Sequence, residues 1–380
     1  MDARRGVWRK KSSLHKVQHL ARAPFSRLAA RALAAALLLL APLTGLPQAA
    51  GQAPAHERPQ APAQPPVRGL PQRISWSPLH WIKARSLDEH LPYSLNVFLT
   101  KDSVHGRPFR ACYVESDPYD LKVDFAARVG HYTPTEFFTR ETDPAPYVIV
   151  NGAQYSPETN RNLQLVIQDR RLVSYNQTAI RIGQDSLYHY ITPSAIGING
   201  ARHVDVGWVF TDSTRDYPLL MLKGPSDPRY SKGSRSNPSI LDIRSENSNA
   251  EIGARCMQWP METAVGGGPT LIKRGEVFIS SREEVRFYGK EDELEARTAM
   301  GYTRENKLII LVIEGGHPGE ATGATLAEEA LIMKDLGCWE ALNMDGGAST
   351  CLLINGQAII KPATGTEEAV GSVFMIKSHL

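Results

Sequence analysis

Two carboxylates in the sequence each follow an apolar stretch and each precede a pair of glycines. Glu314 comes after residues 308–313, and Asp345 comes after residues 341–344. An apolar strand that leads into an acid on a glycine loop can hold the carboxylate at the rim of a pocket. If the two strands are neighbours, both acids reach one sheet edge. Paired carboxylates are the usual catalytic groups of enzymes that cleave glycosidic bonds. The alternative is that either acid only accepts N–H groups of its own loop.

Arg297 and the glycine run 266–268 could hold an anion. Arg297 precedes an apolar stretch and is followed by small residues, a setting that suits bidentate capture of a phosphate or carboxylate. The glycines allow a ligand to approach the backbone and can offer N–H donors, although they lack the lysine of a nucleotide-binding P-loop. The alternatives are a tight structural turn for the glycines and, for the arginine, a surface salt bridge with Glu291, Glu293 or Glu295.

Other reactive side chains show no catalytic spacing. Ser349 does not lie in a G-x-S-x-G motif, and no histidines stand in H-E-x-x-H. None of the four cysteines forms a C-x-x-C pair, which argues against zinc and thioredoxin-like chemistry. We therefore expect no metal and no other cofactor. Disulfides and buried free thiols both stay open for the cysteines, which are Cys112, Cys256, Cys338 and Cys351.

Strand patterns dominate the part of the chain that must position these residues. Short apolar or alternating runs, separated by turn residues such as the Asn-Gly pairs at 199–200 and 355–356, predict several β-hairpins. A glycine- or asparagine-rich loop precedes a strand–turn–strand pattern at 151–175, 266–279 and 346–360. We expect these three loops to pack around one cleft.

Two capping boxes predict helices among the strands. A Thr-Pro-x-Glu sequence predicts a short helix over 133–140, and a Thr-x-x-Glu sequence followed by a late glycine predicts a second helix over 325–337. Residues 211–250 are polar and interrupted by prolines, so we expect a long surface excursion there.

The N-terminal part of the chain differs in charge and composition. Residues 1–50 carry nine basic residues and one acidic residue before and around a short apolar run, which predicts a secretory signal peptide, with an uncleaved membrane anchor as the alternative. The Pro- and Ala-rich residues 51–72 predict a linker, and 73–380 predict one domain. Without residues 1–50 the chain has 34 basic and 39 acidic residues, so we expect no nucleic-acid binding. We expect export to a periplasmic or extracellular site, and membrane contact only through an uncleaved leader; the oligomeric state stays open.

Taken in order, these motifs resemble the phosphodiester glycosidase family, which includes an enzyme that removes N-acetylglucosamine from its phosphodiester link to mannose. The resemblance runs from about residue 93 to residue 376. The stretches that carry it are 150–152, 264–269, 297–301, 308–315 and 325–350. The chain departs from the family pattern at Ala153-Gln154-Tyr155, at Glu314 where an Asp is usual, at Ala348 where a Gly is usual, and at Glu367-Glu368-Ala369 where many members carry an E-R pair.

The resemblance implies an α+β fold of curved, mostly antiparallel β-sheets with a few flanking helices and one cleft. It implies hydrolysis of the sugar C1–O–phosphate bond of a glycosyl phosphodiester, in an exopolysaccharide or cell-wall glycan. Asp345 would be the catalytic carboxylate, Arg297 would stabilise the phosphate charge, and Glu314 would be a second carboxylate or would orient sugar hydroxyls. Substrate contacts are expected from Asn151, Gly152, Gly266, Gly267, Gly268, Asn343, Gly346, Gly347 and Ser349.

Two other classes of function stay open. A non-catalytic glycan- or phosphoglycan-binding domain would bind an anionic polysaccharide without releasing sugar. A metal-dependent phosphodiesterase would cut the P–O bond on the other side of the phosphate, and it needs a cluster of His and Asp ligands that the sequence does not suggest.

Overall fold

A computed structural model describes residues 75–156, 158–177, 179–181, 188–225, 256–287 and 289–379. All of these residues belong to one unit, Gln64–Leu380. The predicted signal peptide and linker lie outside the described residues, as do residues 226–250 of the predicted excursion. No helix in the described part of the chain is long and apolar enough to cross a membrane.

An eight-stranded sheet carries both strand-end carboxylates. In order across the sheet, its strands are β1 (Ile82–Lys83), β2 (Leu95–Thr100), β5 (Ala111–Ser116), β22 (Leu308–Ile313), β21 (Arg297–Thr303), β23 (Cys338–Asn343), β19 (Thr270–Lys273) and β20 (Glu276–Val277). Strands β22 and β23 both pair antiparallel with β21, so they run parallel to each other and end at the same sheet edge.

Two further sheets and three ribbons complete the β-structure. The seven-stranded sheet consists, in order, of β11 (Arg171–Ser174), β10 (Val166–Gln168), β18 (Met261–Gly266), β14 (Ser194–Asn199), β15 (Val204–Phe210), β16 (Leu219–Met221) and β17 (Cys256–Gln258). The five-stranded sheet consists of β25 (Gln357–Ala358), β24 (Leu352–Ile354), β7 (Pro146–Asn151), β26 (Val370–Ser378) and β6 (Val123–Tyr132). The two-stranded ribbons are β3 (Ser103–Val104) with β4 (Arg107–Pro108), β8 (Tyr155–Ser156) with β9 (Arg161–Asn162), and β12 (Ala179–Arg181) with β13 (Tyr188–Tyr190).

Four helices flank the sheets in the described residues: α1 (Arg85–Asp88), α2 (Pro134–Arg140), α3 (Ser281–Glu284) and α4 (Leu326–Asp335). Helices α2 and α4 begin with the two predicted capping boxes, in which Thr133 and Thr325 accept from the amide three residues later and the glutamate there accepts in return. Together with the antiparallel strand pairing, these helices confirm the expected α+β fold. The sequence patterns did not predict α3.

Part of the predicted surface excursion is sheet. Strand β16 pairs with β15 on one side and β17 on the other, and its Leu219 and Met221 are buried. The expectation of a surface loop is wrong for this part, because a short apolar run between prolines and polar residues can still add to the edge of an existing sheet.

The apolar core joins the three sheets. Its largest cluster includes Val114 from the eight-stranded sheet, Val265 from the seven-stranded sheet and Val148 from the five-stranded sheet. The chain crosses from β18 to β19 through the glycine run 266–268, and from β23 to β24 through the Asp345 loop, residues 344–351. The loops that carry the candidate residues therefore lie where the sheets meet.

Candidate active site

Asp345 is a partly exposed acid just beyond the end of β23. Its carboxylate accepts a hydrogen bond from the Gly346 amide at 3.1 Å and another from the Ser349 side chain. Burial raises the pKa of Asp345 to about 6, although these two hydrogen bonds and the positive charge of Arg286 act in the opposite direction. Because this carboxyl changes its charge close to neutral pH, it suits acid–base or charge-stabilising chemistry.

Asn151 holds the Asp345 loop in place. Its Nδ2 donates to the backbone carbonyl of Asp345 at 2.8 Å. Its Oδ1 accepts from the Thr298 hydroxyl at 2.8 Å and from the Cys351 amide at 3.2 Å. The side chain is fully buried. Asn151 thus clamps the end of β7 to β21 and to the loop, and we assign it as a positioning residue rather than a contact to a sugar hydroxyl.

The glycine run 266–268 uses its N–H groups inside the protein. The three amides donate, in chain order, to the backbone carbonyls of Leu165, Ser194 and Asn343 at 2.7, 2.9 and 2.7 Å. A Cβ on Gly267 would lie 2.6 Å from the Asn343 carbonyl, and one on Gly268 would lie 2.4 Å from the Glu284 carboxylate. Glycine is required because other groups pack directly on this backbone. The prediction that these amides bind an anion is therefore wrong, and the structural turn describes the run.

The remaining predicted contacts divide into two sets. Asn343 and Gly152 are buried in the framework: Asn343 Nδ2 donates to the Gly268 carbonyl at 3.2 Å, and the Gly152 amide donates to a β26 carbonyl at 2.9 Å. The other set is partly exposed and lies beside the Asp345 carboxylate, and it consists of Gly346, Gly347 and Ser349.

Glu314 lies at the same sheet edge as Asp345, but its carboxylate is already engaged. It faces Arg110 Nη1 at 3.4 Å and accepts from the Lys361 amide at 3.1 Å, and the residue is buried. Strand β21 lies between the two strand ends, so their backbones are separated by two strand spacings, roughly 10 Å. The two strands share the expected edge, although they are not direct neighbours in the sheet.

Arg297 begins β21 at this edge, and its guanidinium has no exposed surface. Nε donates to the Ala324 carbonyl at 3.0 Å and Nη2 donates to the Glu293 carbonyl at 2.9 Å, while Nη1 lies 3.9 Å from the Glu295 carboxylate. The Phe287 ring centre is 5.1 Å from the guanidinium carbon. Two of the three nitrogens thus donate to backbone carbonyls, so the side chain is not a free bidentate fork. The ion pair with Glu295, one of the acids that the sequence allowed, is present, but the guanidinium is buried rather than at the surface.

Arg286 is a site residue that the sequence analysis missed. It follows α3 by two residues, is only 9% exposed, and donates through Nη1 to the side-chain carbonyl of Gln154. Its charge acts on Asp345, since each of the two groups favours the charged form of the other. A single arginine in a polar, charged stretch has no spacing or neighbour pattern by which a sequence rule could select it.

Glu284 anchors the segment that carries Arg286. Its carboxylate is fully buried and engaged by four residues of the surrounding sheets and of α3's own N-terminus. The donors are the amide and hydroxyl of Ser194, the amide and hydroxyl of Thr270, the Trp208 indole and the Ser280 hydroxyl, at 2.6 to 3.1 Å. These hydrogen bonds satisfy the buried carboxyl group and tie α3 to both large sheets.

Three of the cysteines, Cys112, Cys338 and Cys351, are buried free thiols, and burial raises the pKa of each. For these three residues the free-thiol alternative holds. Among the residues that the structure describes, no group of three or more His, Cys, Asp or Glu side chains is placed to hold a metal ion.

Comparison with known proteins places the site within a recognisable sequence segment. Residues 232–377 match the phosphodiester glycosidase family. The matched segment contains α3, Arg286, β21 to β23 and the whole Asp345 loop, and its first part, 232–255, lies outside the described residues. The family match therefore covers the candidate active site but less than half of the chain.

Curated relatives match a short part of the chain. An N-acetylglucosamine-1-phosphodiester alpha-N-acetylglucosaminidase from Mus musculus is 27% identical over 113 residues, and one from Bos taurus is 28% identical over 113 residues. Each match covers 27% of this chain, and the chain spans only 22% of the mouse protein and 21% of the bovine protein.

Solved structures share the fold over most of the chain. The catalytic domain of the zebrafish N-acetylglucosamine-1-phosphodiester alpha-N-acetylglucosaminidase, described as auto-inhibited by its pro-peptide, superposes with a TM-score of 0.51 at 19% identity, over 76% of this chain and 85% of that one. A hypothetical protein from Synechocystis superposes with a TM-score of 0.50 at 15% identity, over 80% of this chain and 64% of that one.

Proposed function

We propose that the protein is a hydrolase that cleaves the sugar C1–O–phosphate bond of a glycosyl phosphodiester. The observation that carries the proposal is Asp345, a partly exposed carboxyl with a pKa of about 6 on a strand-end loop within the family-matched segment. The mouse and bovine relatives are named for action on an N-acetylglucosamine-1-phosphodiester, so a diester of this sugar is the first substrate to test.

Cleavage of the sugar C1–O–phosphate bond depends on a carboxylate more than on a general acid. The leaving group is a phosphate monoester, a weak base that departs with little protonation. The ionised Asp345 would stabilise the oxocarbenium-like transition state or activate the attacking water. Ser349 and Gly346, which hydrogen-bond to this carboxylate, would fix its direction. Glu314 and Arg297 support the same sheet edge through their bonds to the protein.

The setting of the activity is part of the proposal. We propose an exported protein that acts on an exopolysaccharide or cell-wall glycan. The support comes from the sequence alone: the charged and apolar order of residues 1–50 and the proline-rich residues 51–72 suit a leader and a linker that spaces the domain from it.

Product analysis tests the proposed reaction. The purified protein is incubated with an N-acetylglucosamine-1-phosphodiester, and the products are separated and identified. Free sugar with a phosphate monoester is the expected result, and it should disappear in Asp345→Asn. Sugar 1-phosphate would indicate a phosphodiesterase instead, and saturable binding without any product would indicate a glycan-binding domain.

A further inference from the structure

We propose that Arg286 binds the phosphoryl group of the substrate through the Nε–H and Nη2–H edge of its guanidinium. The identity of the anion rests on the proposed function, whereas the existence of an oxyanion site at Arg286 rests on the geometry of the arginine itself. Arg286 would thereby take the role that the sequence suggested for Arg297.

The decisive observation is which nitrogens of Arg286 are unpaired. Nη1 donates to Gln154, while Nε and Nη2 are buried and have no hydrogen-bond partner among the described residues. Nε and Nη2 point along the same edge of the guanidinium plane, and this edge matches two oxygens of a phosphate or carboxylate. The protein therefore fixes one side of the fork and gives the side that recognises oxyanions no hydrogen-bond partner in the described part of the chain.

Burying a charged group whose donors lack hydrogen-bond partners costs free energy, so the unpaired Nε and Nη2 need a physical explanation. Burial lowers the pKa of Arg286, although the negative charges of Glu284 and Asp345 act in the opposite direction. Glu284, the nearest acid in sequence, already accepts from residues on two sheets. Asp345 acts on Arg286 through its charge, but its own carboxylate is bonded to Ser349 and Gly346. An oxyanion between Arg286 and the sugar bound at Asp345 would supply the missing partner.

The backbone around Arg286 is held in an unusual conformation. Val285 has φ of +51° and Phe287 has φ of +54°, so both neighbours of Arg286 lie in the left-handed region that side chains rarely adopt. For a β-branched valine this is a costly conformation, and such strain persists only where the surroundings enforce it. The flanking side chains are held on both sides of the segment, Glu284 by its hydrogen bonds and Phe287 by its contact with Arg297. The strained segment fixes the direction of the Arg286 side chain.

The comparison with Arg297 favours Arg286 as the anion ligand. Arg297 has a single unpaired nitrogen, Nη1, because Nε and Nη2 donate to backbone carbonyls. Its Nε and Nη2 edge, the counterpart of the unpaired edge of Arg286, therefore already donates to the protein. In Arg286 both nitrogens of one edge are unpaired, and the charge of this arginine acts on Asp345. Arg297 instead supports Phe287 and hence the segment that carries Arg286.

Binding measurements test this assignment independently of turnover. Calorimetry would compare inorganic phosphate, N-acetylglucosamine 1-phosphate and neutral N-acetylglucosamine as ligands of the whole protein, its Arg286→Gln and Arg286→Lys variants, and a matched control, Arg304→Gln. Arg304 is an exposed arginine just beyond the opposite end of β21, where it stacks on Trp339. Asp345→Asn serves as the variant that should lose turnover without losing phosphate binding.

We expect both Arg286 variants to bind phosphate and the sugar phosphate at least about tenfold more weakly. Glutamine removes the positive charge, and lysine keeps the charge but lacks the two parallel N–H donors of the guanidinium. Binding of the neutral sugar and all binding by Arg304→Gln should stay as in the wild type. The assignment is overturned if the wild type binds neither phosphate nor the sugar phosphate, or if Arg286→Lys binds them as tightly as the wild type. It is also overturned if the Arg286 variants bind the neutral sugar more weakly to the same extent as the two anions. If phosphate binding depends on Arg286 but no sugar is released, the proposed hydrolysis is contradicted and the anion site is supported.

Discussion

The ends of β22 and β23 look alike in sequence and differ in chemistry. Each strand is apolar, each is followed by an acid and two glycines, and both reach the same edge of one sheet. Glu314 is bound by Arg110 and by the Lys361 amide, whereas Asp345 has a raised pKa of about 6 and is influenced by the charge of Arg286, whose Nε and Nη2 have no hydrogen-bond partner among the residues that the structure describes. The comparison teaches that local sequence places an acid at a rim, while distant partners decide whether its charge is available for a reaction.

The largest effect should come from Asp345→Asn. The amide keeps the shape and the hydrogen bond from Gly346 but cannot carry the negative charge, so we expect kcat on a sugar phosphodiester to fall by about a thousandfold or more. Steady-state kinetics measure it, and circular dichroism checks that the fold is kept. If Asp345→Asn had a near-normal kcat, Asp345 would not be the catalytic carboxylate, and it would not differ from Glu314 in function.

Glu314→Gln should act mainly on stability. Its carboxylate loses the charge that faces Arg110 but can still accept from the Lys361 amide, so we expect a loss of about 1–3 kcal/mol in the free energy of unfolding. Activity measured below the melting range should stay within about tenfold of the wild type. Loss of turnover as large as that of Asp345→Asn, with an unchanged melting temperature, would make the two carboxylates a catalytic pair.

Asp345→Asn should also stabilise the fold at neutral pH. The folded-state pKa of about 6 lies above the ordinary value of 3.8, so the folded wild type holds a proton that the unfolded chain releases. Its stability therefore falls as the pH rises from about 4 to 6, and the loss is complete above pH 6. The variant escapes this loss, and we expect it to be more stable by about 1–3 kcal/mol at pH 8 and equal near pH 4. Urea unfolding at the two pH values measures the difference, and a variant that is less stable at both would contradict it.

The smallest expected effect is a shift in the pH profile. Because Asp345 must be ionised, kcat/KM should fall below a pH of about 6. The charge of Arg286 lowers the Asp345 pKa, so Arg286→Gln should move this acidic limb to higher pH, while Arg304→Gln should leave it in place. An acidic limb at the same pH in all three proteins would show that the arginine does not act on the carboxylate.

The sequence predicted those features that depend on neighbours along the chain. The capping boxes of α2 and α4 and the strand ends at Glu314 and Asp345 follow from cap and apolar patterns. Helix α3, with only four residues, is too short to show a period.

Contacts between distant parts of the chain could not be predicted. Asn151 reaches a carbonyl 194 positions away, and the amides of the run 266–268 are consumed by strands from other parts of the chain. Arg286 acquires its role from Gln154, which is 132 positions away, and from the Asp345 loop. These contacts depend on how three sheets meet, and no local pattern in a single sequence encodes that arrangement.

The most direct test of the central claim is to find which bond breaks. The reaction is run in water labelled with oxygen-18, quenched early, and the phosphate monoester is analysed by mass spectrometry. Attack at sugar C1 assisted by Asp345 predicts an unlabelled phosphate monoester, with the label on the sugar, and no product from Asp345→Asn. Label in the phosphate monoester would mean that water attacks phosphorus, and it would contradict the assignment of this site as a phosphodiester glycosidase.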